Sequence, residues 1–186
     1  MWSLRRPRDA ELAAILARVA GLSLTYPEVG MSRTGGAPAY HCEDHRSELA
    51  IDFATAAERL ASFATHELPY MFVYPRDARV MLRRDVVVCA KVGPVWSINP
   101  CRIVHVEATP DRFEYAYGTL PGHAESGEEY FAVSRSADGR VVGETTAYAR
   151  MADWIAKLGA PIARRVQRKV KIDYLRALGM VTTSRS

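Results

Sequence analysis

Cysteine is scarce in this chain of 186 residues: Cys42, Cys89 and Cys101 are odd in number and widely spaced. No Cys-x-x-Cys pair occurs, so a zinc ribbon, a dithiol redox motif and a disulfide framework lose their usual signature, and three reduced thiols are expected. Long apolar runs are also missing. Nothing approaches the roughly 18 residues that cross a bilayer. The opening Met1-Trp2-Ser3-Leu4-Arg5-Arg6-Pro7-Arg8-Asp9 has positive charges without an apolar stretch behind them. The expectation is a cytoplasmic protein with no membrane span. Neither an apolar deficit nor a charge excess is present: 48% hydrophobic and 25% charged residues are ordinary for a globular protein.

What is present suits one domain over residues 1–186, since the chain is too short for two ordinary domains and a linker. The net charge of +4 is unevenly placed. Residues 161–178 carry Arg164, Arg165, Arg168, Lys169, Lys171 and Arg176 against Asp173, which is +5 and leaves −1 for the remainder. Such a run can attract nucleic acid. A solvated helix face is the reading preferred here, with binding of nucleic acid or an acidic partner the lesser alternative.

Leu12, Ile15, Leu16 and Val19 recur at helical spacing and predict a helix from Asp9 to Gly21. Pro27, Gly30, Gly35, Gly36 and Pro38 make the next stretch, to Tyr40, an ordered loop. Phe53, Ala56, Leu60 and Phe63 predict a second helix over 52–64. From Tyr70 the period changes to alternation, predicting strands near 70–75, 79–83, 85–93, 101–109, 112–119, 128–136 and 140–149. The short turns between them imply an antiparallel meander. Phe113, Tyr115 and Tyr117 share one face of their strand and form an aromatic wall, read either as core or as the lining of a cavity.

A long amphipathic helix is predicted from Met151 to Leu178, with a kink before Pro161. Ile162, Val166, Val170, Tyr174, Ala177 and Leu178 fall on one side and all six basic residues on the other. The whole is an α+β arrangement: N-terminal helices, a curved antiparallel sheet and a closing helix packed across it. The space between sheet and helix suits a small, mainly apolar ligand.

Several polar groups invite chemistry. His123, Glu125, Glu128 and Glu129 crowd the connection between two strands, where a histidine and a carboxylate could perform acid–base chemistry on a carbonyl compound. The alternative is a shaped turn in which Gly118, Gly122 and Gly127 supply unusual backbone angles. Arg102 beside Asn99 could fix an anionic or carbonyl group, or brace loops by pairing with Glu28, Glu125 or Glu128; Tyr26 and Glu28 carry the same two readings. In His41-Cys42-Glu43-Asp44-His45 the two histidines would share a face if helical, but a third ligand is not evident. No metal and no cofactor is expected.

Thr25-Tyr26-Pro27-Glu28-Val29-Gly30, Asn99-Pro100-Cys101-Arg102, the stretch Phe113 to Phe131 around Tyr117-Gly118-Thr119-Leu120-Pro121-Gly122-His123-Ala124-Glu125-Ser126-Gly127-Glu128-Glu129, and the closing Tyr174-Leu175-Arg176-Ala177-Leu178 together resemble the uncharacterised protein family 0548, a domain of unknown function found in bacteria and plants. The resemblance covers nearly the whole chain. Ala124 departs from the proline usual after the histidine, and Leu49-Ala50-Ile51 lacks the glycines usual before the second helix. That family is similar to the helix-grip (SRPBCC) superfamily of START lipid-transfer domains, birch-pollen-allergen-like proteins and polyketide cyclases. The resemblance implies a sheet gripping a C-terminal helix round a hydrophobic cavity. Members bind lipids, hormones or polyketides, and only some are enzymes, so binding is the safer expectation and catalysis stays open. The implied partner is a small hydrophobic molecule; Tyr26, Glu28, Asn99, Arg102, Tyr115, Tyr117 and Glu129 are the candidate ligand-binding residues, and a homodimer through a sheet edge is left open.

Overall fold

The computed structural model describes residues 1–35, 38–151 and 160–180, with side chains except at 151 and 160–168. The elements are β1 (Trp2–Ser3), α1 (Asp9–Val19), α2 (Met31–Thr34), β2 (His41–Leu49), α3 (Phe53–Ala61), a 3-10 turn (Ala64–His66), β3 (Met71–Tyr74), β4 (Asp85–Val92), β5 (Val95–Thr109), β6 (Arg112–Thr119), β7 (Glu125–Arg135), β8 (Val141–Met151) and α4 (Ala160–Ala177). The strands form one curved antiparallel sheet in the order β2-β8-β7-β6-β5-β4-β3, with β1 added beside β5. No helix among the described residues is long and apolar enough to cross a membrane.

The sheet has two differently used faces. On the inner face the alternating residues of β4 to β8 meet α3, the 3-10 turn and α4 in the main core, where Leu60, Phe63, Phe131, Leu175 and Leu178 are almost fully buried. On the outer face Leu12 and Ile15 of α1 cover Phe72, Val87 and Cys89. Local chemistry sets the helix ends. Asp52 caps α3 by accepting the Thr55 N–H at 2.9 Å. The helix stops at Ala61, short of the expected Ala64, and Phe63 turns the chain with φ 58°.

Three expectations need correction. Residues 79–83 are a turn: Val80 donates to the Ala61 carbonyl, Arg83 has φ 66°, and Met81 and Leu82 are exposed. β5 begins at Val95, well before 101, because Pro100 is tolerated inside it. Its missing N–H faces the β6 side, where pairing has already ended at Cys101 and Thr119. His41–Leu49, where no strand was expected, is an edge strand paired along its whole length with β8. Its polar, charged sequence hides the strand pattern and suits an exposed edge.

The C-terminal helix matches its expectation from Ala160 onward, while Met151 ends β8 and residues 152–159 lie outside those described. All three cysteines are free, and burial pushes the Cys89 thiol up to about 12.

Candidate functional site

Cross-strand partners in an antiparallel sheet share a face, so the register places side chains in rows. One inner-face row runs Ile103, Tyr117, Glu129; the next runs Tyr115, Phe131, Thr145, His45. Above them lies α4, whose buried residues among the described side chains are Lys171, Tyr174 and Leu175, with Leu178 buried just beyond its end. Their spacing is i, i+3, i+4, i+7, an apolar stripe in every respect except that a lysine opens it. Lys171 therefore points into the protein, which corrects its expected place on the solvated face of the helix.

Inside, the Lys171 ammonium donates to Glu129 Oε1, and the Tyr117 hydroxyl donates to Glu129 Oε2. The two charged side chains are 5% and 17% exposed, so this pair is shielded from water and salt. His66 completes the group. Its Nδ1 lies 2.8 Å from Thr65 Oγ1 and its Nε2 3.5 Å from the Tyr117 hydroxyl. Its ring stands 4.7 Å from that of Tyr174 and 5.3 Å from that of Phe131. Tyr115 stacks on Phe131 at 5.0 Å. The site is thus an aromatic enclosure around one ion pair and one imidazole.

Burial dominates its electrostatics. It pushes His66 down to about 4, with the nearby Glu129 opposing and Lys171 assisting, so the ring is neutral at pH 7. Burial alone would raise Glu129, but the Lys171 ammonium and the hydrogen bonds from Lys171 and Tyr117 outweigh it and hold the carboxyl below its ordinary value. The phenols of Tyr115, Tyr117 and Tyr174 are pushed well up, again by burial first. Three buried side-chain atoms lack a hydrogen-bond partner among the described residues: Tyr115 OH, Thr145 Oγ1 and His45 Nε2. Thr65 stands beside the first, and Glu43 lies 3.6 Å from the last. All three belong to one row.

Of the residues singled out from sequence, Tyr115, Tyr117 and Glu129 come together here. Asn99 shares the inner face through its pairing with Val88, but its Oδ1 is occupied by Ser97 Oγ at 2.9 Å and the Ala124 N–H at 3.4 Å. The others lie elsewhere. Arg102, Gly118 and Glu128 form a row on the outer face. Arg102 grips Asp85 through two bonds of 2.6 and 2.8 Å and donates to the Leu22 carbonyl at 2.8 Å, so its partner is none of the three glutamates expected. Glu128 accepts from Tyr26 OH and Gly30 N–H, both at 2.8 Å, and from the Ser32 hydroxyl. Glu28 accepts from Tyr40 OH at 2.8 Å.

The structure does not bring His123 and Glu128 together. His123 sits in the turn before β7, where its Nδ1 accepts the Glu125 N–H at 2.9 Å. Burial, then the Met1 ammonium, pushes it down to about 4 while Glu129 pulls the other way. Gly122 has φ 96°, as a shaped turn requires. Gly118 has no such angle; it is glycine because a Cβ there would overlap the Tyr26 ring. The histidines of the His41–His45 segment share a face as strand residues, about 13 Å apart by strand rise, which is too far for one metal ion.

Sequence reading passed over His66, Thr145 and the inward Lys171. Only Lys171 left a signal: adding Leu175 to Tyr174 and Leu178 completes a stripe that starts at the lysine. Around it, Lys169 and Arg176 bracket Asp173 at 2.5 and 3.0 Å, and Asp173 also accepts from Tyr70 OH at 2.5 Å. The side chains of Arg164, Arg165 and Arg168 lie outside those described.

A curved antiparallel sheet closed by a C-terminal helix is the helix-grip arrangement, and known structures share it. A hypothetical protein from Helicobacter pylori matches with a TM-score of 0.55 at 12% identity, covering 84% of this chain and 94% of its own. The major latex-like protein 151 from Panax ginseng matches with a TM-score of 0.50 at 10% identity, covering 75% and 93%. At such identities the likeness is one of fold.

Residues 25–177 match the family described as a domain of unknown function (DUF1990), and the chain belongs to it. A UPF0548 protein of Deinococcus radiodurans is 29% identical over 192 residues, covering 96% of this chain and 97% of the relative. A UPF0548 protein of Arabidopsis thaliana is 31% identical over 107 residues, covering 54% and 52%.

Proposed function

We propose that this protein binds a small hydrophobic or amphipathic molecule between the inner face of the sheet and α4. The supporting observation is the pair of buried hydroxyls without partners among the described residues, Tyr115 OH and Thr145 Oγ1, in a row that also carries Phe131. A buried polar group without a partner is costly, so native interiors satisfy nearly all of theirs. Two in one row on the inner face are what a ligand-binding surface would leave for its ligand. Phe131 and Tyr115 offer apolar contact, and Tyr117, Glu129 and Lys171 mark the polar end. His66, neutral and already engaged, helps shape that end. The aromatic wall is read as a lining, with Tyr115, Tyr117 and Glu129 as binding residues.

Native mass spectrometry of protein purified from its source cell tests this directly. The expected result is a retained small molecule whose release on denaturation restores the bare chain mass. A bare chain that is also not stabilised by a panel of hydrophobic compounds in thermal unfolding would sink the proposal.

A further inference from the structure

We propose that the turn at residues 80–84 docks the protein peripherally on a membrane surface that carries anionic lipids. The apolar run of this segment predicts a strand, yet the chain folds it as a turn in which Met81 and Leu82 are each 53% exposed. Trp2, Leu4, Leu22 and Val29 are exposed as well, but Met81 and Leu82 are the two that adjoin in sequence. Their exposure is enforced. Ala78 and Val80 take the inward places against the main core. The Val80 N–H donates to the Ala61 carbonyl at 2.8 Å, the Arg83 N–H to the Ile103 carbonyl at 2.9 Å and the Ile103 N–H to the Arg84 carbonyl at 2.9 Å. The Arg84 N–H closes the turn on the Met81 carbonyl at 3.1 Å, which leaves Leu82 and Arg83 as its central residues. Single exposed apolar side chains are ordinary, whereas a pinned pair at a tip presents apolar surface outward as a unit.

Charge complementarity names the occupant. Residues 76–84 carry Arg76, Arg79, Arg83 and Arg84 against Asp77, four positive charges less one, or +3. Arg76 is paired with Asp9 and Arg79 with Glu58. Arg83 and Arg84 have no carboxylate partner among the described residues: the adjoining Asp85 is taken by Arg102, and Arg84 reaches the Arg79 carbonyl at 3.3 Å. Arg83 also has φ 66°, at a turn position where glycine is the unstrained choice. A cation kept in a glycine's place beside two exposed apolar side chains fits a surface that offers hydrocarbon and negative charge together. An anionic bilayer does so: the apolar pair enters the boundary between headgroups and acyl chains, and the guanidinium groups stay among the phosphates. A stable protein interface draws on roughly 20 residues a side. A tip of two apolar and two cationic side chains better fits a fluid surface that closes around it.

The test is co-sedimentation of the full chain with vesicles of phosphatidylcholine alone, or with about one third phosphatidylserine, at low and raised salt. Wild type is expected to bind the anionic vesicles about tenfold or more tightly than the neutral ones, since each arginine near the surface adds to the attraction. Met81→Ser combined with Leu82→Ser should weaken that binding about tenfold. Arg83→Gln combined with Arg84→Gln should weaken it severalfold and remove most of its salt dependence. Circular dichroism and thermal unfolding check that both variants fold. Wild type bound equally to both vesicles or to neither overturns the proposal, as does binding to anionic vesicles that both folded variants keep in full. A wild type that ignores vesicles but dimerises in light scattering, with the dimer lost on Met81→Ser and Leu82→Ser, overturns it in favour of a second copy of the chain.

Discussion

Glu128 and Glu129 are neighbours in sequence, yet they live in different chemical worlds. Strand alternation sends Glu128 to the outer face, where it accepts from Tyr26, Gly30 and Ser32 and has no cation among these partners. Its work is to tie the loop before and through α2 onto β7. Glu129 faces inward and is paired with Lys171 and Tyr117 among aromatic rings. Glu128, itself only 2% exposed, is held by several neutral donors at once, whereas Glu129 is held by a countercharge and one phenol. The first arrangement organises backbone; the second creates a polar centre in the core.

The contrast can be broken most severely at Lys171. Lys171→Met removes one partner of a buried pair and should destabilise the chain by about 3–5 kcal/mol in urea unfolding, because the Glu129 charge is stranded. Adding Glu129→Gln should recover much of that loss. A double variant no more stable than Lys171→Met would show that the pair is not the source.

Acid should act on the inner face through His66. The unfolded chain takes up this proton near its ordinary pKa of about 6.5, whereas the folded ring resists until about 4. Stability is therefore full above the unfolded value and falls as the pH drops from about 6.5 toward 4, by up to about 3 kcal/mol from this residue. Glu129, with its folded value lowered, works in the same direction at still lower pH. His66→Phe should flatten the pH dependence of the urea midpoint, leaving the part due to His123, which burial also pushes down to about 4. An unchanged slope would remove His66 as a cause.

At the outer carboxylate, Glu128→Gln should cost less, about 1–3 kcal/mol, since hydrogen bonds and no countercharge are lost. Hydrogen exchange should rise at the amides of Gly30 and Ser32, with probe binding on the inner face unaltered. Exchange spread over the inner-face strands would contradict the separation of the two faces. The smallest effect belongs to Arg176→Ala on the exposed side of α4, below about 1 kcal/mol in the same assay. A loss comparable to that of Lys171→Met would erase the distinction between the two sides of the helix.

How much of this was legible in the sequence differs by feature. Leu12, Ile15 and Val19, or the alternation of Phe113, Tyr115 and Tyr117, announce their elements because burial of one face imposes a local period. The edge strand His41–Leu49 does not, since one row of it meets solvent at the rim and half its residues are polar or charged on the inward side too. The resemblance along the Gly118 to Glu129 stretch led to the right family, but its most conspicuous residue, His123, serves a turn among backbone partners. The inner-face set was legible only in part: Tyr115, Tyr117 and Glu129 lie close together in sequence, whereas His66, Thr145 and Lys171 come from distant segments.

By itself the sequence determined the order of most elements, the antiparallel meander and the amphipathic closing helix, because these follow from periods of two and 3.6 residues and from short turns. Only the tertiary structure decided which way each polar side chain faces and what meets it. Glu128 and Glu129 have the same chemistry and adjacent positions; sheet register separates them, and the packing of α4 supplies a lysine to one of them alone. Such partnerships join residues as far apart as Glu129 and Lys171, and no local pattern encodes them.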